Sequence, residues 1–270
     1  MNGRRCIAAL LLALAVSQPS GVQAQVQAPE TEELPSARPN DLIDPKAKAG
    51  GALPAARAAT EGESKDEAAD TEAEPPVWQT LVQSEDEYAA CLDDLRGFGM
   101  SFRETPPIAE EDDPDCGIRR PIEVDRIVPG VDMQPEAVMR CETARALARW
   151  VSTFVLPASL RLEDRGPVTV VEHGSSYVCR RRNGNPEGKV SEHAFGNAID
   201  VIGFRFASGD PIPVQPRMRE GTMAEAFQRG VRSSACMDFT TVLGPGTDAA
   251  HDDHLHLDIK QRRGGFRLCQ

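Results

Sequence analysis

Ser191-Glu192-His193-Ala194-Phe195-Gly196-Asn197-Ala198-Ile199-Asp200 is read together with a second cluster, His251-Asp252-Asp253-His254-Leu255-His256-Leu257-Asp258. His193 and Asp200 are seven residues apart with Gly196 between them, so they do not form an i,i+4 helical pair. The spacing suits a turn that leads into a strand from Ala198 to Phe206, with Asp200 near its start. In the second cluster His254, His256 and Asp258 alternate with Leu255, Leu257 and Ile259. On a strand that period puts both imidazoles on one face and the aliphatic side chains on the other. The chain has five histidines, and four of them fall in these two segments. Histidine and aspartate make up the ligand set of a catalytic zinc ion, which takes three protein ligands and leaves one position for water. Either cluster alone would read as a polar strand face or a turn. Both in one domain can complete a three-ligand site, and zinc is the expected cofactor.

Outward from these two strands, the pattern predicts an α+β fold with a mainly antiparallel sheet and flanking helices. Ser84 and Glu87 form a capping box for a helix that carries Tyr88, Cys91, Leu92 and Leu95 on one face and ends at Gly97. Met139 to Val155 has the strongest helical period, through Cys141, Ala144, Leu147, Ala148, Val151 and Phe154. Thr222 and Glu225 open a third helix, through Phe227 and Val231 towards Cys236. Strands are expected around Ile122 and Val124, over Pro167 to Glu172, and over Tyr177 to Arg182 up to an Asn183-Gly184 turn. Two more, Thr240 to Leu243 and His254 to Lys260, should flank the Gly244-Pro245-Gly246 loop. On the Tyr177 strand, alternation would place Arg180 and Arg182 on one face, where guanidinium forks can grip a substrate carboxylate. Ser191, at the head of the first motif, is grouped with them as substrate-binding.

Residues 1–24 read as a secretory signal peptide: Arg4 and Arg5, an apolar run from Cys6 to Val16, and a small-residue cleavage site at Val22-Gln23-Ala24. The run is too short for a mature membrane span, so no stable membrane insertion is expected after cleavage. Residues 25–80 hold twelve acidic and five basic residues, seven prolines and a single aromatic, Trp78. Such a segment buries too little apolar surface to offset its ordering entropy and is expected to be a disordered tether whose removal leaves stability unchanged. Residues 81–270 then form one domain. Once Cys6 is removed with the signal, six cysteines remain: Cys91, Cys116, Cys141, Cys179, Cys236 and Cys269. An even number in an exported chain points to three disulfides and a periplasmic or secreted location, with connectivity open. The formal net charge of −12 argues against a nucleic-acid partner, which requires a basic face.

The Ser191–Asp200 run fits the Ser-x-His-x-x-Gly-x-Ala-x-Asp pattern of the zinc peptidases grouped around lysostaphin, the D-alanyl-D-alanine carboxypeptidases and Hedgehog. The second cluster resembles the His-x-x-His-x-His of the penicillin-insensitive murein endopeptidases. The Ser-Tyr-Val-Cys-Arg-Arg-Arg-Asn-Gly run, the Ser191–Asp200 run and Thr-Val-Leu-Gly-Pro-Gly most closely resemble the bacterial extensin-like C-terminal domain family, over roughly Cys91 to the C-terminus. The resemblance implies His193, Asp200 and His256 as zinc ligands, with His254 left as general base or oxyanion partner and His251 as a contact to substrate or leaving group. It further implies a peptidoglycan hydrolase acting on peptide stems, at cross-links or at terminal D-amino-acid residues. A wall-binding or signalling module that keeps the zinc without turnover is the other class consistent with it.

Overall fold

In the computed structural model, which describes residues 75–182, 185 and 187–270, the chain enters through a short helix, α1 (Val77–Thr80). The expected signal peptide, and the expected tether as far as residue 74, lie outside the described residues. Trp78 of α1 donates its indole N–H to the Pro114 carbonyl at 2.9 Å and packs against a small cluster of Cys116, Ala194 and Phe195. Its ring lies on Gly117, where a Cβ would come within 2.8 Å of it. The packed structure therefore starts ahead of residue 81, and Trp78, expected to belong to the tether, packs against the domain. Trp78→Ala should cost about 1–3 kcal/mol, the usual range for loss of a packed side chain. Chemical denaturation of chains starting at residues 75 and 82 provides the check, and equal stability would show that α1 contributes nothing.

Helix α2 (Glu85–Gly97) begins at Ser84, whose hydroxyl accepts the Glu87 N–H while Glu87 accepts the Ser84 N–H. Both arms of the expected capping box are present, and Tyr88, Cys91, Leu92 and Leu95 are buried as its period requires. The chain then lays down β1 (Ser101–Glu104), the small hairpin β2 (Ile108–Ala109) and β3 (Gly117–Ile118), and β4 (Pro121–Val128). The next element, β5 (Val131–Arg140), is one that the sequence pattern does not predict. Pro135 in its middle lacks an N–H and breaks the ladder, which disguises the strand. It pairs antiparallel with β4 near both ends, over Ala137 to Arg140 and at Val131 and Asp132, and parallel to a later strand through Asp132, Met133 and Gln134.

Because β5 runs to Arg140, helix α3 starts at Cys141, two residues later than the period suggests. It spans Cys141–Trp150 and continues through a π-helical turn, Val151–Val155, into α4 (Leu156–Ser159). Its apolar stripe is core, as expected. Trp150 is fully buried, donates its indole N–H to the Val231 carbonyl and meets Phe204 and Phe239 edge-on.

The remaining strands are β6 (Val168–Ser175), β7 (Ala198–Phe206), β8 (Ile212–Pro213), β9 (Thr241–Leu243), β10 (Leu255–Asp258) and β11 (Leu268–Cys269), with helix α5 (Met223–Ala235) between β8 and β9. They complete a nine-stranded sheet in the order β1-β4-β5-β6-β7-β10-β9-β11, with β8 paired to the far end of β7. Apart from β5/β6 and β9/β11 the pairs are antiparallel, so the fold is α+β with a mostly antiparallel sheet. Tyr177 to Arg182 does not form the expected strand. It is a loop held by one bridge, Arg181 to Val190, and by the flanking backbone bonds of Arg182 N–H to the Lys189 carbonyl and Ser191 N–H to the Arg180 carbonyl, while β6 and β7 pair with each other. The expected Asn183-Gly184 turn lies outside the described residues.

Three disulfides close the fold: Cys91–Cys141 joins α2 to the start of α3, Cys116–Cys179 joins the hairpin to the loop after β6, and Cys236–Cys269 joins the end of α5 to β11. Together they span sequence separations of 50, 63 and 33 residues, and each typically stabilises such a domain by about 2–5 kcal/mol. Mass mapping without reductant should find no free thiol among these six cysteines. Two or more free thiols would contradict the pairing.

Candidate metal centre

Strand β7 carries Asp200, and its antiparallel neighbour β10 places His256 directly opposite it, one residue above Leu257 opposite Ile199. Cross-strand partners on one face lie close enough for their side chains to meet, and here Nδ1 of His256 is 2.9 Å from Oδ1 of Asp200. His193 arrives from a different direction. It sits in a 3-10 turn, Glu192–Phe195, that Gly196 ends with a left-handed φ of 66°. A Cβ on Gly196 would lie 2.4 Å from Ile118 Cδ1 and 3.0 Å from the Arg140 nitrogen, so glycine is required for space as well as for φ. Its carbonyl accepts the Arg140 N–H and the Thr143 hydroxyl, which clamps the joint between the turn and β7 to the start of α3.

The result is one point of convergence. His193 Nε2 is 3.1 Å from Asp200 Oδ1 and 3.2 Å from His256 Nδ1. The outer nitrogens of both rings are committed: His193 Nδ1–H donates to the Ser176 carbonyl at 2.7 Å, and His256 Nε2–H donates to Asp258 Oδ2 at 3.2 Å. With the outer nitrogens so committed, His193 Nε2, His256 Nδ1 and Asp200 Oδ1 lie within 3.2 Å of one another, an arrangement that either a ring proton or a metal cation satisfies. Tetrahedral zinc, with bonds of about 2.0–2.2 Å, separates its ligand atoms by about 3.3 Å. The residues present fit zinc by donor type, by number and by spacing.

Burial alone would raise the Asp200 carboxyl, but the imidazoles of His193 and His256 outweigh it and hold the group well below the usual carboxylate range. Burial would likewise lower His256, yet Asp200 on one side and Asp258 on the other raise it to about 9. Of the three aspartates expected near the histidines, the structure selects Asp258 to support His256. Asp258 is itself held by the Thr241 hydroxyl at 2.5 Å and the Lys260 N–H at 3.0 Å. Asp253 bonds His254 instead, and Asp252 accepts the Gly246 N–H.

His254 precedes β10, with Nδ1–H on Asp253 and Nε2 3.6 Å from Asp200 Oδ1. His251 closes a 3-10 turn, Ala249–His251, bonds Asp248 at 2.6 Å, and lies with its ring 5.3 Å from that of His254 and 5.9 Å from that of His256. Arg180 reaches within 3.9 Å of Asp200 Oδ2 and remains 40% exposed, which leaves it able to meet a ligand. Arg182 does not join it: without a strand at 177–182 the two side chains diverge, and Arg182 bonds Glu192 and the Val190 carbonyl. Ser191 is buried, with its backbone N–H on the Arg180 carbonyl and its own carbonyl accepting Ala194, so it shapes the turn rather than facing a ligand. His173 donates to the Pro135 carbonyl from the middle of the sheet and takes no part in the convergence.

Sequence patterning does not single out Ser176, because it contributes a backbone carbonyl, which every residue has. Nor does it single out Glu192, although its neighbour His193 stands out; Glu192 is buried and accepts from Arg182, Lys260 and Asn197.

No curated protein and no solved structure matches this chain. The model of the extensin-like protein C-terminus matches residues 89–270. That range contains the whole sheet from β1 onward, the three disulfides and every residue of the convergent site, so the chain belongs to the extensin-like C-terminus family.

Proposed function

We propose that the domain is a zinc-dependent hydrolase of peptide bonds in peptidoglycan, cutting cross-links or releasing terminal D-amino acids in the periplasm or outside the cell. The convergence of His193 Nε2, Asp200 Oδ1 and His256 Nδ1 carries this reading. His193, Asp200 and His256 would hold zinc, which when bound supplies a Lewis acid that polarises a carbonyl and acidifies a water molecule. The group numbers three among the described residues, whereas a structural zinc site is closed by a fourth protein ligand. Motif resemblance to the lysostaphin and D-alanyl-D-alanine carboxypeptidase group supports the substrate class, and three disulfides suit an oxidising compartment.

Each remaining group has a definite task. His254, oriented by Asp253 through Nδ1–H, presents Nε2 as the base that takes a proton from the attacking water and returns it to the leaving amine. Arg180 offers a guanidinium for a substrate carboxylate or for charge developing on the carbonyl oxygen. Asp258 and the Ser176 carbonyl fix the ring orientations of His256 and His193.

Digestion of purified peptidoglycan by the zinc-loaded, disulfide-intact protein, with released muropeptides identified by mass, tests this. Loss of cross-linked dimers with gain of monomers identifies an endopeptidase, and loss of one terminal D-alanine a carboxypeptidase. Polymer binding without either product would replace the enzyme with a wall-binding module.

A further inference from the structure

A cleft of about 870 Å³ borders the 3-10 turn that carries His193, with Glu192 and Phe195 of that turn in its lining. It shares walls with the centre through neighbours: Glu192 precedes His193, and Lys260 lies four residues beyond His256. Its lining is the reverse of the chain as a whole. Nine lining residues are Arg or Lys and four are Asp or Glu, a formal surplus of five positive charges (nine minus four) in a chain of net charge −12.

Ion pairs take up part of this charge, Arg140 with Glu142, Arg145 with Asp94, and Arg181 with Asp113 and Asp115, and leave the rest. Arg262 is oriented by the Thr240 carbonyl and the Thr241 hydroxyl, and Arg267 by the carbonyls of Cys236 and Phe239. Neutral acceptors aim a guanidinium without cancelling it. Glu192 is one carboxylate shared between Arg182 and Lys260. Asp238 stands 3.7 Å from Arg149, its other oxygen has no partner among the described residues, and burial pushes it above the ordinary carboxylate range. Lys189 is exposed and has no carboxylate within ion-pair distance among the described residues. Phe266, 61% exposed, adds an apolar rim.

We propose that this cleft is a binding site for an extended oligoanion carrying two or more carboxylate or phosphate groups. The volume falls in the range of ligand pockets and is too large for a single inorganic anion. Several guanidinium forks match either group bidentately, and a cleft of net positive charge concentrates anions by focusing the field between low-dielectric walls. None of the three convergent side chains lines the cleft, so its test uses the protein without added zinc.

Binding of two fluorescent probes of matched charge, an oligoglutamate peptide and a polyphosphate, should be measured by anisotropy at low and at physiological salt. Wild type should bind at least one, and more weakly as salt rises. Preference for oligoglutamate points to a peptide source and preference for polyphosphate to a phosphate-bearing polymer. Lys189→Glu with Arg145→Gln removes three units of charge from two cleft positions outside the proposed catalytic set, and should weaken binding about tenfold or more. Arg126→Glu with Arg96→Gln makes the same change away from the cleft lining and should leave binding unchanged. Failure of wild type to bind either probe at low salt overturns the proposal, as does equal weakening by the two pairs. Unfolding curves of both pairs separate loss of a site from loss of the fold.

Discussion

His193→Ala, Asp200→Ala protein should purify almost free of zinc, where the wild type carries one ion per chain. Both substitutions remove atoms from the convergent triangle and leave His256 alone, and a single imidazole does not hold zinc against dilution. Asp258→Asn should weaken zinc by about 10- to 100-fold without touching a ligand, because the carboxylate that orients the His256 ring becomes an amide. Metal analysis of the three purified proteins provides the readout, with circular dichroism to show that each has folded. Equal zinc in the wild type and the double variant would sink the assignment. A triangle of acceptors without its cation would then have to be held by a proton alone, which the raised His256 could supply.

His254→Ala should keep its zinc and lose turnover by about 10² to 10⁴, the usual contribution of one positioned acid–base group. His256→Ala should lose both. The contrast follows from geometry: His256 Nδ1 belongs to the triangle, whereas His254 Nε2 stands 3.6 Å from Asp200 and is tethered at its other nitrogen to Asp253. Muropeptide release by the two variants, set beside their zinc content, checks it. Loss of zinc from His254→Ala would make that residue a fourth ligand and favour a closed, non-catalytic centre.

Much of the site is legible in the sequence because strand periodicity is local. His256 and Asp258 two residues apart share a face wherever β10 lies, and Gly196 between His193 and Asp200 disfavours one continuous helix through both. The capping boxes are legible for the same reason, although only one is complete: Thr222 accepts the Glu225 N–H, but Glu225 turns back to Arg219 and Gly221 instead of to Thr222. Cysteine parity points to three disulfides, and among fifteen possible pairings chain topology chose one.

What tertiary structure alone decided is which atoms meet. The β7 strand has Ile199 and Val201 in the core on odd positions, then Phe204 and Phe206 on even ones. The change of face occurs at Ile202, where the register with β6 slips between Glu172 opposite Gly203 and His173 opposite Val201. An extra residue in one strand flips every side chain beyond it, so one strand can turn Asp200 to the metal centre and two phenyl rings to the core. No nine-residue window announces that slip. The separation of Arg180 from Arg182 follows from the loop that replaces the expected strand. A propensity is a property of neighbours in sequence, while a ligand set, a hydrogen-bond partner and the charge of a cleft depend on residues that only the packed sheet brings together.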